Sequence, residues 1–327
     1  MSTIPLFVVG LDIGGTSIVA GVLASQDAQI KSRKSIPTES SKGNADGLRR
    51  ITELIQTVIE EAGVQRDQIG GIGIGSTGPI DPIRGLIQNP YTLPNWDDLP
   101  IVEHLNAQFQ LPTCLLGDCQ AAALGEQWAG AGRGAQNMIY ITVGTGIGGG
   151  LIMNGRLYQG VGFAAGEVGH QVIDINGPDC YCGAKGCWEM LASGPAIVRR
   201  AADNVPESSL IMTLAGQDRA KITALLVARA AEQGDPFAIE LQNQTAFYLG
   251  VGLANLLNIF SPDVAVLGGG VMGSWPAYEP VIIKTVKSRG TMIPFEKIRI
   301  APASLGLNAG ITGAARGIII YIDAHSL

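Results

Sequence analysis

Between Gly166 and Glu189 the chain reads GEVGHQVIDINGPDCYCGAKGCWE, which holds three of its five cysteines and one of its three histidines. His170, Cys180, Cys182 and Cys187 are spaced H-x9-C-x-C-x4-C. Three thiolates and an imidazole fill a tetrahedral shell, so Zn²⁺ suits the set. With no open position such a site would be structural and not catalytic. The same residues also allow a disulfide with a spare thiol, or three reduced cysteines without metal. Two carboxylates, Glu167 and Glu189, bracket the cluster, and a metal-pinned loop would hold both at fixed positions.

Other candidates lie where apolar runs give way to glycine. Leu6–Leu11 ends in Asp12-Ile13-Gly14-Gly15-Thr16 and is followed by a second strand candidate, Ile18–Leu23. Glycines there let backbone N–H groups approach an anion, and Thr16 adds a hydroxyl. An ordinary hairpin turn has the same composition. Met138–Val143 leads into a second such turn, Gly144–Gly150, and Val264–Leu267 opens onto Gly268-Gly269-Gly270. The repeat of strand, Gly/Thr turn and strand suggests two lobes of similar build clasping one polyphosphate. Strand Ile69–Ile74 runs into the polar turn Gly75–Asp81, a candidate wall, since ligands of open α/β sheets sit beyond the carboxyl ends of strands. Thr113–Gly117 delivers Asp118 to the start of a helix over Cys119–Ala129. Asp118 there serves either as an N-cap or as a carboxylate held ionised by the helix N-terminus and usable as a base.

The elements that must position these residues read as α/β. Asn44–Gly63 is an amphipathic helix with Leu48, Ile51, Ile55, Val58, Ile59 and Ala62 on one face and Gly63 as its stop. Further helices fall near Pro195–Ala202, Ile222–Glu232, Pro236–Phe260 and Asn308–Tyr321. The length, 327 residues, calls for two domains or lobes, and 46% apolar residues fill a sizeable core. Glycine, 45 residues, is about twice its usual share, which predicts many tight turns. A net charge of −6 without a Lys/Arg cluster argues against nucleic acid as a partner. The odd cysteine count and the lack of a signal-like N-terminus predict a reducing cytoplasm, with Cys114 and Cys119 as core residues. Polar residues interrupt the charge-free runs Gly134–Gly155 and Leu241–Pro262, so no membrane span is expected.

Taken together, Asp12–Thr16, Gly75–Asp81, Asp118–Glu126, Gly144–Gly150, Gly166–His170, Cys180–Glu189 and Gly268–Gly270 make the chain resemble the ROK family of sugar kinases over nearly its whole length. The pairing of GEVGH with CYCGAKGCWE is the most specific part. The resemblance implies a two-lobed actin/hexokinase-like fold (a duplicated ribonuclease H-like unit), with sugar and nucleotide meeting in an interlobe cleft. It places residues 1–117 and a C-terminal helix 309–327 in a smaller lobe, and residues 118–308, with zinc segment 166–189, in a larger one. The function implied is transfer of the ATP γ-phosphoryl group to a hexose hydroxyl, with glucose as first choice. N-acetylmannosamine, fructose, mannose and allose are the alternatives.

By the same resemblance Asp118 is the catalytic base. Gly75, Asn89, Glu167, His170 and Glu189 contact the sugar, with His170 also on the zinc together with Cys180, Cys182 and Cys187. Asp12 reaches Mg²⁺ through water; Gly14, Gly15, Thr16, Thr145 and Gly146 cradle phosphates; Gly268, Gly269 and Gly270 border the adenosine. The resemblance also implies a homodimer. Two departures bear on the hexose: Gly117-Asp118-Cys119-Gln120 replaces the usual Asn-Asp-Ala-Asn, and Thr92-Leu93 replaces an Asn-Leu. A sugar-sensing protein without catalysis is a rival reading, as is a transcriptional regulator, for which Asp12 leaves no room for a preceding DNA-binding segment.

Overall fold

The computed structural model describes residues 5–88, 92–290 and 292–325. An apolar run such as FVVGLDI suits a strand covered on both faces, and in β1 (Phe7–Ile13) the residues from Val8 to Leu11 are all buried. There follow β2 (Ser17–Ala24), β3 (Ile30–Pro37), α1 (Asn44–Ala62), β4 (Ile69–Ser76), β5 (Ile80–Asp81), β6 (Leu86–Ile87), α2 (Ile101–Phe109), β7 (Thr113–Gly117) and α3 (Asp118–Ala129). After β8 (Met138–Val143), β9 (Ile147–Met153) and β10 (Arg156–Tyr158) come α4 (Trp188–Ala192), α5 (Gly194–Asn204), α6 (Leu210–Leu214), α7 (Ala224–Glu232) and α8 (Pro236–Phe260). The chain ends with β11 (Val264–Gly268), α9 (Trp275–Arg289), β12 (Arg299–Pro302) and α10 (Ala309–His325).

Two five-stranded sheets repeat one plan, with orders β3-β2-β1-β4-β7 and β10-β9-β8-β11-β12. In the first, β1–β2 and β2–β3 are antiparallel while β1–β4 and β4–β7 are parallel. In the second, β9–β10 is antiparallel and β11–β12 parallel. The expected duplication is therefore present at the level of strand order.

The chain divides into two compact units. One comprises Met1–Tyr140, Gly150–Gly166 and Ala303–Leu327, the other Ile141–Gly149 and Glu167–Pro302. The sequence placed residues 118–308 with the second lobe; here 118–140, 150–166 and 303–308 belong to the first unit, with α3 lying directly against α10. That contact is backbone on backbone. A Cβ on Gly313 would collide with the Ala121 carbonyl, and one on Gly125 would lie 2.5 Å from the Ala309 oxygen. On its other side α10 rests on the sheet, where side chains at Gly10 and Gly73 would strike the carbonyls of Ile311 and Ala314. Many of the glycines read as turn formers are thus packing glycines inside strands and helices.

The first unit's main core joins β1, β2 and β4 to α1 and α2 through Val9, Leu11, Ile51, Ile55, Ile72 and Leu105. α1 ends where expected, Gly63 taking φ 64°, a left-handed value that glycine adopts without strain. The second unit has a core of its own, with Ile197, Ile211, Met212, Val227 and Leu241 from α5–α8. Its long α8 starts on Asp235, whose side chain accepts a hydrogen bond from Ala238 N, with Pro236 in the first turn. Among the described residues no helix is long and apolar enough to cross a membrane.

Candidate active site

In the first unit the carboxyl ends of β1, β4 and β7 lie side by side. Asp12 is in register with Gly75 and Gly75 with Leu116, so the residues that follow, through Asp118, emerge on one edge. Asp118 occupies the first turn of α3 behind an N-cap at Gly117, and its Oδ1 accepts from Cys119 N at 2.7 Å. Gly117, and not Asp118, is therefore the N-cap, and the Asp118 carboxylate bonds within the first turn. Both acids are half-buried. Burial first, then the Asp118 charge, pushes Asp12 from 3.8 to about 7, against a smaller pull downward from Arg33. Burial likewise raises Asp118, opposed by the hydrogen bonds from Cys119.

Two glycines make room for this pair. A side chain at Gly310, in the first turn of α10, would strike the Asp12 carboxylate. Asp12 therefore sits beside the first turn of α10. A Cβ at Gly75 would fall 2.9 Å from the Ala121 Cβ and 3.9 Å from Asp12 Oδ1, closing the floor between β4 and α3. The first Gly turn joins β1 to β2 as a hairpin, with Gly14 N donating to Ser17 O at 3.0 Å. Gly15 and Thr16 are exposed at its tip. Thr38 Oγ1 donates to Gly14 O at 2.6 Å, and Thr92 presses on Gly15 while sharing a 3.0 Å hydrogen bond with Thr77 Oγ1. Gln120 reaches from α3 to the Phe163 carbonyl at 2.9 Å and lies over Gly117, where a Cβ would be 3.7 Å from its Cδ. Asn89 lies outside the described residues.

The second unit carries the other Gly turn and the cysteine cluster. β9 begins at Ile147, so the turn is confined to Gly144–Gly146 and Gly148–Gly150 are strand. Thr145 is exposed at its tip, and Gly144 O accepts from Gly194 N, the first residue of α5, at 2.8 Å. Gly269, at φ 91°, is pressed against the Val143 backbone, a place and conformation open only to glycine. The turn, the α5 N-terminus and Gly268–Gly270 thus form one backbone surface. Glu189 belongs to it too: its Oε2 accepts from Ile147 N at 2.8 Å and fills the space a side chain at Gly146 would need. Nearby, a cavity of about 390 Å³ is lined by Glu232, Gln242, Asn243, Gly273, Ser274 and Ala277, among others.

The ligand atoms of His170, Cys180, Cys182 and Cys187 lie within 4.8 Å of one another. Cys182 Sγ and Cys187 Sγ are 3.6 Å apart, as are Cys180 Sγ and His170 Nδ1. A tetrahedral Zn²⁺ site has S···S and S···N edges of about 3.8 and 3.6 Å, from its usual bond lengths. The set therefore fits such an ion, and none of these cysteines is in a disulfide. The loop is anchored at its ends by the Val172–Cys187 bridge and by Trp188, whose Nε1 donates to Tyr248 O of α8 at 2.9 Å. Gly169 lies against the Ile147 carbonyl, which ties GEVGH to the second turn.

Glu167 is exposed just ahead of Val168–His170. His170 turns Nδ1 to the cluster and Nε2 outward, but Nε2 meets Tyr181 OH at 3.3 Å. Partial burial first, then the charge of Glu189, pushes the Tyr181 phenol up. Sequence reasoning gave no role to Tyr181, Gly310 or Gly194. The available signals were an exposed aromatic inside the Cys-x-Cys knuckle and a run of small residues opening the last helix.

A five-stranded sheet of this order built twice, with acids and glycine turns at the strand ends, defines the actin/hexokinase-like class of α/β protein. Residues 8–318 match the ROK family, to which the chain belongs. It is 34% identical to a glucokinase of Halalkalibacterium halodurans, covering 93% of this chain and 92% of the relative. A ROK hexokinase from Thermus thermophilus superposes with a TM-score of 0.79 at 36% identity, covering 98% of this chain and 100% of the other. A ROK family glucokinase from Streptomyces griseus, solved with glucose and AMPPNP, gives 0.79 at 31%, covering 95% and 98%.

Proposed function

We propose that this protein is an ATP·Mg²⁺-dependent hexose kinase that phosphorylates glucose, most simply at its 6-hydroxyl. The observation that carries the reading is the carboxylate pair Asp12 and Asp118 at the ends of β1 and β7, the parallel strands on either side of β4, each with its charge opposed by burial. Such acids are costly to keep, and both acquire a use when a cation and a nucleophilic hydroxyl arrive. The names of the relatives, glucokinase and ROK hexokinase, point the same way.

In this reading Asp118 accepts the proton of the attacking hydroxyl. Its raised affinity for protons makes it the stronger base. Phosphoryl transfer passes through a loose transition state, so catalysis rests on alignment and neutralisation of charge. Asp12 would hold Mg²⁺ through water. Exposed backbone at Gly15–Thr16 and Thr145–Gly146 would take phosphate oxygens, and the cavity beside Gly273 and Ser274 would take the nucleoside. Glu167, His170 and Glu189 would bind sugar hydroxyls. His170, Cys180, Cys182 and Cys187 would hold Zn²⁺, which supplies a fixed anchor for the His170 ring and no chemistry.

The test is ADP release from ATP·Mg²⁺ over a panel of glucose, mannose, fructose, allose and N-acetylmannosamine. Glucose-dependent release is expected. A protein that binds hexose without releasing ADP would be a sensor, and one that does neither would defeat the reading.

A further inference from the structure

The peptide unit between Gly14 and Gly15 is the part of the first turn freest to flip, because neither residue has a Cβ to restrict its dihedrals. A trans peptide points its C=O and its N–H in opposite directions. One flip would therefore replace the Gly15 N–H at the exposed tip with the Gly14 carbonyl, which repels an anion. Thr38 stands where it prevents this. It is fully buried; its Oγ1 donates to Gly14 O at 2.6 Å and its backbone N donates to Thr16 O at 2.9 Å. With both carbonyls turned toward Thr38, the N–H groups of Gly15 and Ser17 point away from it. Gly15 is exposed, and among the described residues its N–H meets no acceptor. We infer that Thr38 is a positioning residue for phosphate binding: by holding two carbonyls of the turn inward, it keeps the Gly15 N–H presented to a phosphate oxygen of the nucleotide.

Thr38 is itself held from behind. Arg50 of α1, with a side chain only 11% exposed, donates from Nη1 to Thr38 O at 2.7 Å and from Nη2 to Pro37 O. The same Nη2 lies 3.2 Å from the Glu39 carboxylate. One guanidinium thus clamps Pro37, Thr38 and Glu39 where β3 ends. The chain leaves that point through Glu39 at φ 49°, a left-handed conformation that a residue other than glycine keeps only when its surroundings impose it. Hydrogen bonds therefore run without a break from α1 through Thr38 to the turn. Being buried behind the turn, Thr38 acts through Gly14 and Thr16 and touches no phosphate itself.

This role rests on the ATP-dependent reading above and is tested with two substitutions. Thr38→Val keeps the shape and the backbone N–H and removes the hydroxyl; Thr38→Ser keeps the hydroxyl and removes a methyl. In Thr38→Val, KM for ATP and Kd for AMPPNP·Mg²⁺ by calorimetry are expected to rise about 5- to 10-fold, the worth of one buried hydrogen bond. Hexose KM should stay level, and Thr38→Ser should return both nucleotide constants to near wild type. No rise, an equal rise in hexose KM, or a serine variant no better than valine overturns the role of Thr38 and leaves the kinase standing. A further readout needs no variant: the amide NMR signal of Gly15 in the wild type is expected to shift when AMPPNP·Mg²⁺ binds. Should Thr38→Val fail to fold, that signal decides, and a Gly15 amide indifferent to bound nucleotide removes the role. If the wild type neither binds AMPPNP nor phosphorylates any hexose, the ATP-dependent reading itself falls, and the role of Thr38 with it.

Discussion

The pairing of Asp12 with Asp118 sets two expectations with different readouts. If Asp118 is the base, Asp118→Asn should keep the fold and bind hexose but lose about 10²–10⁴ in kcat; near-full turnover in the coupled assay would remove it from that role. Asp12 speaks to stability. Its folded value of about 7 lies above the ordinary 3.8, so between those limits the folded chain holds a proton that the unfolded chain has released. Stability contributed by this group therefore falls as pH rises through the window, the reverse of the usual carboxylate. Asp12→Asn removes the charge while keeping the shape beside Gly310. It should raise Tm at pH 8 and change it little near pH 4, and it should abolish Mg²⁺-dependent turnover. An equal Tm change at both pH values would show that the buried charge is not the cause. Such an exchange of stability for chemistry is common at active sites.

At the scale of elements, Glu126 has the largest unread role. It is fully buried near the end of α3, where a carboxylate is disfavoured by the helix dipole. It accepts from Ala131 N at 2.7 Å, Ser304 N at 3.0 Å and Leu305 N at 2.9 Å, tying α3 to the segment that starts α10. Glu126→Gln turns an NH₂ toward one of these donors and should cost about 1–3 kcal/mol by denaturant midpoint, the penalty of a buried unmet group. Gly73→Ala should cost as much or more, about 3 kcal/mol, because its methyl meets backbone of α10 that cannot rotate away. A midpoint unchanged within error for either variant would contradict the packing described. These contacts explain what the sequence concealed. Strand β7, α8 and the Gly63 stop were legible, since periodicity, capping and turn chemistry are local. Gly73 and Gly313 were not, because a glycine that admits a neighbouring backbone looks the same in sequence as one that turns the chain. Strand β3, whose IKSRKSIP alternates weakly, and α9, with Pro280 inside it, were invisible for the opposite reason: tertiary pairing overrides their composition.

At the scale of the whole molecule, each unit has a core of its own, and the cysteine cluster belongs to the second. The cluster was the part of the site most legible in sequence, because four ligands close in the chain need no tertiary knowledge. How His170 divides its two nitrogens was hidden, since only the folded knuckle brings Tyr181 back onto the ring. Metal binding in small domains is folding free energy outright, but here the apolar core of α5–α8 stands without the loop's help. If the cluster holds zinc as proposed, removing the ion should therefore loosen a segment and leave both cores intact. In Cys182→Ser, or after chelation, zinc per chain should fall and amides of Gln171–Cys187 should lose exchange protection. Those of β1, β4 and β7 should keep theirs. Released from Nδ1, the His170 ring is free to take either tautomer, so hexose KM should rise about tenfold or more, as for other disrupted metal shells. Turnover at saturating sugar should change far less, because Asp118 and Asp12 are held by β1, β7 and α10 in the first unit. A kcat that collapses while KM stays level would place the cluster in the chemistry, and cooperative unfolding of the whole chain on chelation would make it part of the core.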